Sequence, residues 1–274
     1  MKVLVPTDFS DTAASGLRYA LSFVANYGSG HIHVLHTVEK EADLAAAQAQ
    51  LDTFCAIDAP AGITITHNIT VGDYNEAIGQ EAETQECALI IMATKGAHGI
   101  QKLVGSHAMK VVSSSNIPHI ITQREVYDDE VLDRIAVPIT LEREDKKILS
   151  TVAAIAKPLG AAVLLIYEDN RDEFLGATIA RNLNFAKSYL RNSGIETQAI
   201  DVGHDLSYDE AIIKYAAAHQ CDLIATVNHH NDGILNLFGA NFDQNLLENS
   251  AHIPILTVDA RNHEHVNDIF MTTR

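Results

Sequence analysis

Apolar residues along this chain fall into short unbroken runs, separated by segments in which they recur every three or four positions. Lys2–Pro6 is such a run, and residues 12–26 carry Ala13, Leu17, Ala20, Leu21 and Val24 at helical spacing ahead of Gly28. That pattern predicts a strand, a helix and a glycine stop. It continues with strands over 31–38, 63–71, 89–93 and 118–122, and with helices over 43–57, 76–85 and 105–114. Strands joined by helix-sized connections pair in parallel through right-handed crossovers. The expectation is a small doubly wound α/β domain, a class of fold whose ligands bind outside the carboxyl ends of the strands.

The same unit occurs twice. Pro6 is answered by Pro138 and Gly28 by Gly160, both at an offset of 132, and Val71-Gly72 by Val202-Gly203 at 131. Cys87/Cys221, Leu89/Leu223, Gly99/Gly233 and Gly105/Gly239 hold an offset of 134, and Ile117-Pro118 returns as Ile253-Pro254 at 136. Chance pairing would scatter these offsets, so the narrow drift means two copies with small loop insertions. The charged stretch 124–133 has no helical or strand periodicity and reads as a linker. Domains are therefore expected over 1–124 and 133–260, with a polar tail over 261–274.

Length and composition agree with two ordinary cores, at 274 residues of which 47% are hydrophobic and 20% charged. Asp and Glu number 36 against 19 Lys and Arg, a formal charge of −17, which leaves no basic field for a nucleic acid or an anionic membrane surface. The first residues reach Pro6 and Asp8 before any apolar signal-peptide region forms, and no apolar run approaches a membrane span, so a cytoplasmic address is expected. Three cysteines without a CxxC pair suggest neither a disulfide framework nor a zinc site.

Two loops leave the carboxyl ends of predicted strands with unusual residues. In Pro6-Thr7-Asp8-Phe9-Ser10, two roles are open to Asp8: accepting hydrogen bonds from a ligand amine, or serving the turn and the cap of the next helix. The second loop runs from Thr94 through Gly96 and Gly99 to Gly105-Ser106. Its glycines would let the backbone approach a phosphate, and free N–H groups at the following helix start favour an anion. In a doubly wound sheet both loops face one crevice.

VPTDFS after the first strand and MATKGAHGIQKLVGS after the fourth, repeated in tandem, resemble the universal stress protein family over nearly the whole chain. The resemblance implies Rossmann-like domains related to the adenine nucleotide alpha hydrolases, each with a five-stranded parallel sheet of order 3-2-1-4-5. It also implies dimerisation through the last strand, met here by an intrachain pseudo-dimer or a homodimer, and in one subgroup a bound adenine nucleotide such as ATP, with Mg²⁺. Carried over by motif, Pro6, Thr7, Asp8 and Thr37 would hold adenine, and Thr94, Gly96, Gly99, Gly105 and Ser106 the ribose and phosphates. Ala93 replaces the first glycine of the family's G-x2-G-x9-G-[ST] pattern, and eight residues separate Gly96 from Gly105. In the second copy Thr140 answers Asp8, Val227 Ala93, His230 Gly96 and Ala240 Ser106, which marks that site as degenerate.

Fourteen histidines raise a metal question, with His31 and His33 on one strand face as a candidate chelating pair, but no HExxH or Cys/His zinc spacing occurs and no metal site is expected. Neither a GxSxG elbow nor a Walker sequence is present, so no catalytic residues are assigned. The expected function is a stress-response module that binds an adenine nucleotide in its first domain and signals by occupancy. The alternative is a nucleotide-free interaction module holding a metal or small molecule in a second crevice lined by Asn228, His229, His230 and Asn231.

Overall fold

The structure, a computed structural model, describes residues 1–94, 112, 115–123, 131–142, 146–228 and 242–260. The chain divides into two compact units, with the boundary between Val131 and Leu132. In the first unit the elements are β1 (Lys2–Pro6), α1 (Asp11–Ala25), β2 (Gly30–Val38), α2 (Leu44–Cys55), β3 (Ile63–Val71), α3 (Tyr74–Thr84), β4 (Leu89–Ala93) and β5 (His119–Thr122). Every pairing is parallel and the order is β3-β2-β1-β4-β5, with Pro6 opposite Leu35 and Leu4 opposite Ile90. Chain direction along the sheet reverses at β1, so the loops after β1 and β4 open onto the same end.

The second unit holds β6 (Arg134–Ile139), α4 (Lys146–Leu159), β7 (Ala162–Tyr167), α5 (Glu173–Asn192), β8 (Thr197–Asp201), α6 (Tyr208–Ala218), β9 (Leu223–Asn228), α7 (Phe242–Leu247) and β10 (Ile255–Asp259). Its strands also pair in parallel, in the order β8-β7-β6-β9-β10. The central strands of both units are apolar throughout because helices cover both faces: Val3, Leu4, Ile90, Ile91, Ile135 and Ala136 are all fully buried. The outer strand β3 alternates with mostly exposed positions, as an edge strand does.

Local chemistry sets the helix ends. Ser10 caps α1 by accepting the Ala13 N–H at 3.2 Å. Gly28 and Gly160, at matching places after the first helix of each copy, have φ of 74° and 68°, a left-handed conformation that explains why the repeat keeps glycine there. Gly16 serves differently: a Cβ there would lie 3.1 Å from the Ala93 nitrogen, so its absence lets α1 approach the end of β4. The third helix begins at Tyr74, two residues before the start expected from apolar spacing. The reason is Asp73, whose carboxylate accepts the N–H groups of Asn75 and Glu76 at 2.9 and 3.3 Å. The helix expected over 105–114 lies, apart from buried Val112, outside the described residues.

The longest helix is capped in the same way, with Asp172 accepting from Phe174 and Leu175 at 3.0 and 2.9 Å. Asp172→Ala leaves both amides to water and is expected to lower the stability of the second unit by about 1 kcal/mol. Denaturant unfolding of the full chain checks this, and an unchanged midpoint would mean that packing of α5 alone fixes its start.

Candidate functional site

The carboxyl end of β1 is built by its own backbone. The Thr7 N–H extends the sheet by donating to the Leu35 carbonyl at 2.8 Å, and the buried Thr7 hydroxyl accepts the Phe9 N–H at 3.0 Å. His36, near the end of β2, donates from Nδ1 to the Thr7 carbonyl at 2.8 Å. Its ring lies tilted against Phe9 at 4.2 Å, and Phe54 meets Phe9 edge-on at 5.9 Å. Phe9 has φ of 65°, a left-handed conformation that costs a bulky side chain free energy and turns the chain sharply. Asp8 is thereby exposed at the strand end.

Of the two roles open to Asp8, the turn is realised: Oδ1 accepts the Ser10 N–H at 3.0 Å. Among the described residues nothing donates to Oδ2, so the same carboxylate keeps an acceptor for a ligand. Thr37 lies on the adjacent β2, opposite Thr70 of β3, and Thr94 extends β4 by donating its N–H to the Thr122 carbonyl at 2.8 Å. Pro6, Thr7, Asp8, Thr37 and Thr94 thus occupy the carboxyl ends of the neighbouring strands β2, β1 and β4. Gly96, Gly99, Gly105 and Ser106 lie outside the described residues.

One residue escaped the sequence reading. Tyr74 opens α3 half-buried near Asp8, and burial together with the Asp8 charge pushes its phenol up to about 12. The signal was available, because Tyr74 and Tyr208 share the offset of 134 found for the cysteines.

In the second unit that tyrosine turns inward. Tyr208 is 3% exposed; its hydroxyl accepts the Ile139 N–H at 3.1 Å and shares its proton between the carbonyls of Ile139 at 3.0 Å and Ile166 at 2.7 Å. Asn182 closes the same loop by donating to the Thr140 carbonyl at 2.9 Å. Thr140 keeps the turn role of Asp8, its hydroxyl accepting the Glu142 N–H at 3.0 Å, but carries no charge. The two copies differ in what meets the strand-end carbonyl: His36 bonds that of Thr7 after β1, and Tyr208 bonds that of Ile139 in β6. Asn228 is buried, and His229, His230 and Asn231 lie outside the described residues.

The candidate metal pair is otherwise engaged. His31 bonds Thr64 and Thr66 through its two ring nitrogens, both at 2.7 Å, and His33 bonds Thr66 and Glu81 at 2.9 and 2.8 Å. Among the described residues no group of three or more His, Cys, Asp or Glu side chains is placed to hold a metal. Burial pushes the Cys87 and Cys221 thiols up to about 12 and the half-buried Cys55 thiol to about 11, which makes all three poor nucleophiles. No described helix is long and apolar enough to cross a membrane.

Known proteins match this geometry. Residues 1–123 match the model of the universal stress protein family. Among solved structures, a universal stress protein from Archaeoglobus fulgidus aligns with a TM-score of 0.68 at 18% identity, covering 94% of this chain and 96% of that one. A protein of unknown function from Pseudomonas aeruginosa aligns at 0.61 and 15% identity, covering 94% and 92%. A universal stress protein in complex with cAMP aligns at 0.40 and 15% identity, covering 48% of this chain and 99% of its own. No curated protein matches the chain. At these identities the solved structures establish the fold, a mostly parallel Rossmann-like α/β architecture, and the family match establishes more: residues 1–123 are a universal stress protein domain.

Proposed function

We propose that the chain is a tandem universal stress protein whose first unit binds ATP or another adenine nucleotide and signals by occupancy rather than by catalysis. The observation that carries this reading is the contrast between the two strand ends: an exposed carboxylate at Asp8 whose Oδ2 has no donor among the described residues, against the uncharged Thr140 in the second copy, where Tyr208 is buried against the strand end. Asp8 Oδ2 would accept from the exocyclic amine of adenine, with Pro6 and Thr7 behind it and the backbone at Thr37 beside it. The ribose and phosphates would run over Thr94 toward Gly96, Gly99, Gly105 and Ser106. With a formal charge of −17, the protein repels a bare triphosphate, so Mg²⁺ would enter as the counterion of ATP. Occupancy acts by population shift: a ligand that orders the loop stabilises whichever surface it exposes, by RT ln(1 + [L]/Kd).

Calorimetric titration of Mg²⁺-ATP into protein freed of ligand tests the reading through stoichiometry. One site per chain is the expected result. Two sites would mean that Tyr208 yields to the ligand. No heat at several temperatures, with no nucleotide extracted from purified protein, would favour an interaction module that works without a nucleotide.

A further inference from the structure

Among the described residues, left-handed backbone occurs outside glycine at Phe9, Glu86, Gln220 and His252. Glu86 and Gln220 are one position of the repeat, at the offset of 134, and each lies in the turn that leads into a central strand, β4 or β9. That strain belongs to the fold. Phe9 is different: at the offset of 132, which relates Asp8 to Thr140, its counterpart is Leu141, whose backbone is not left-handed. The strained residue at the strand end is therefore present only in the copy that carries the carboxylate.

A bulky side chain keeps such a conformation only where its surroundings over-determine it, and strain of this kind collects at sites that must be preset. Phe9 is held from three directions. Its N–H donates to the Thr7 hydroxyl at 3.0 Å, the His36 ring lies against its own at 4.2 Å, and Phe54 of α2 meets it edge-on at 5.9 Å. His36 acts twice, because its Nδ1 also donates to the Thr7 carbonyl at 2.8 Å. Thr7 is tied further to β2 by its N–H, which donates to the Leu35 carbonyl at 2.8 Å. Both chain neighbours of Asp8 are thus fixed to β2, one by hydrogen bonds and the other by its ring. Two successive side-chain turns, Thr7 to Phe9 and Asp8 to Ser10, then set the backbone that carries the carboxylate, and none of these bonds uses Oδ2. The second copy keeps only the later turn, from Thr140 to Glu142.

We propose that Phe9, His36 and Phe54 form an aromatic clamp that presets the Asp8 carboxylate for the amine of the base, which makes the three of them positioning residues for nucleotide binding. The proposal rests on the nucleotide reading of the first unit. The Asp8 loop is ordered on folding rather than on binding, so the ligand meets an acceptor whose conformational entropy is already lost.

The test separates the turn from the packing. Phe9→Asn and Phe9→Val lose the ring alike, but asparagine tolerates left-handed backbone and a β-branched residue does not. Calorimetric titration of Mg²⁺-ATP into the intact chain should find the affinity of Phe9→Asn near that of the natural protein. In Phe9→Val it should fall roughly tenfold, the effect of leaving one backbone residue to be ordered by the ligand. His36→Phe keeps a ring beside Phe9 and removes the donor to Thr7; its affinity should fall about fivefold, as for one neutral hydrogen bond. Thermal unfolding of each variant verifies that the chain is folded at the temperature of the titration. Should Phe9→Val not fold, His36→Phe carries the test alone. Equal affinity in the two Phe9 variants, or natural affinity in His36→Phe, overturns the clamp and leaves the nucleotide reading standing as long as the natural protein binds. No binding by the natural protein overturns both.

Discussion

Asp8→Ala is expected to weaken binding of an adenine nucleotide to the first unit by roughly ten- to a hundredfold. A hydrogen bond to a charged acceptor contributes about 1.5–3 kcal/mol net, and each 1.4 kcal/mol is about tenfold in affinity. Because Asp8 Oδ1 also accepts the Ser10 N–H, alanine removes a turn bond as well, and lost binding alone would be ambiguous. Asp8→Asn separates the two effects. Its amide oxygen keeps the turn bond, while its NH₂ group confronts the ligand amine donor to donor. Calorimetric titration beside thermal unfolding should therefore find asparagine as damaging to affinity as alanine, with the unfolding midpoint of the natural protein. Unaltered affinity in both variants would mean that Asp8 serves only its turn.

Much of this fold was legible because it depends on local pattern. Buried parallel strands must be apolar throughout, so runs such as Leu89–Ala93 mark themselves, and Gly28 and Gly160 mark the same left-handed turn twice. The start of α3 was misread because Asp73 fixes it by a side-chain bond rather than by burial. Asp8 was legible as a candidate from its place after a strand and before a helix. The His33–Glu81 pair was not, since 48 residues separate its members and Glu81 looks from its neighbours like a solvated helix residue. His31 and His33 read as a chelating pair because they share a strand face, and only the fold brings Thr64, Thr66 and Glu81 against their nitrogens. Thr140 in place of Asp8 was legible from the repeat, while the inward turn of Tyr208 was not, because it depends on how α6 packs on β6 and β7.

Tyr208 carries the largest stability effect expected here. Tyr208→Phe deletes one oxygen and with it the buried bonds to the Ile139 amide and to the Ile166 carbonyl. Each such bond contributes about 0.5–1.5 kcal/mol net. The second unit should therefore lose roughly 1–3 kcal/mol. Exchange of the Ile139 amide should accelerate accordingly, since its protection reports the opening free energy of that region. Tyr74→Phe is the internal control: the end of β1 is already satisfied by Leu35 and His36, so the same deletion should cost less than about 0.5 kcal/mol, as substitutions away from buried networks do. A large loss at 208 with a small one at 74 would tie the difference between the two strand ends to Tyr208. Equal losses would mean that the two crevices are built alike, and the difference between the units would then rest on the carboxylate of Asp8 against the hydroxyl of Thr140.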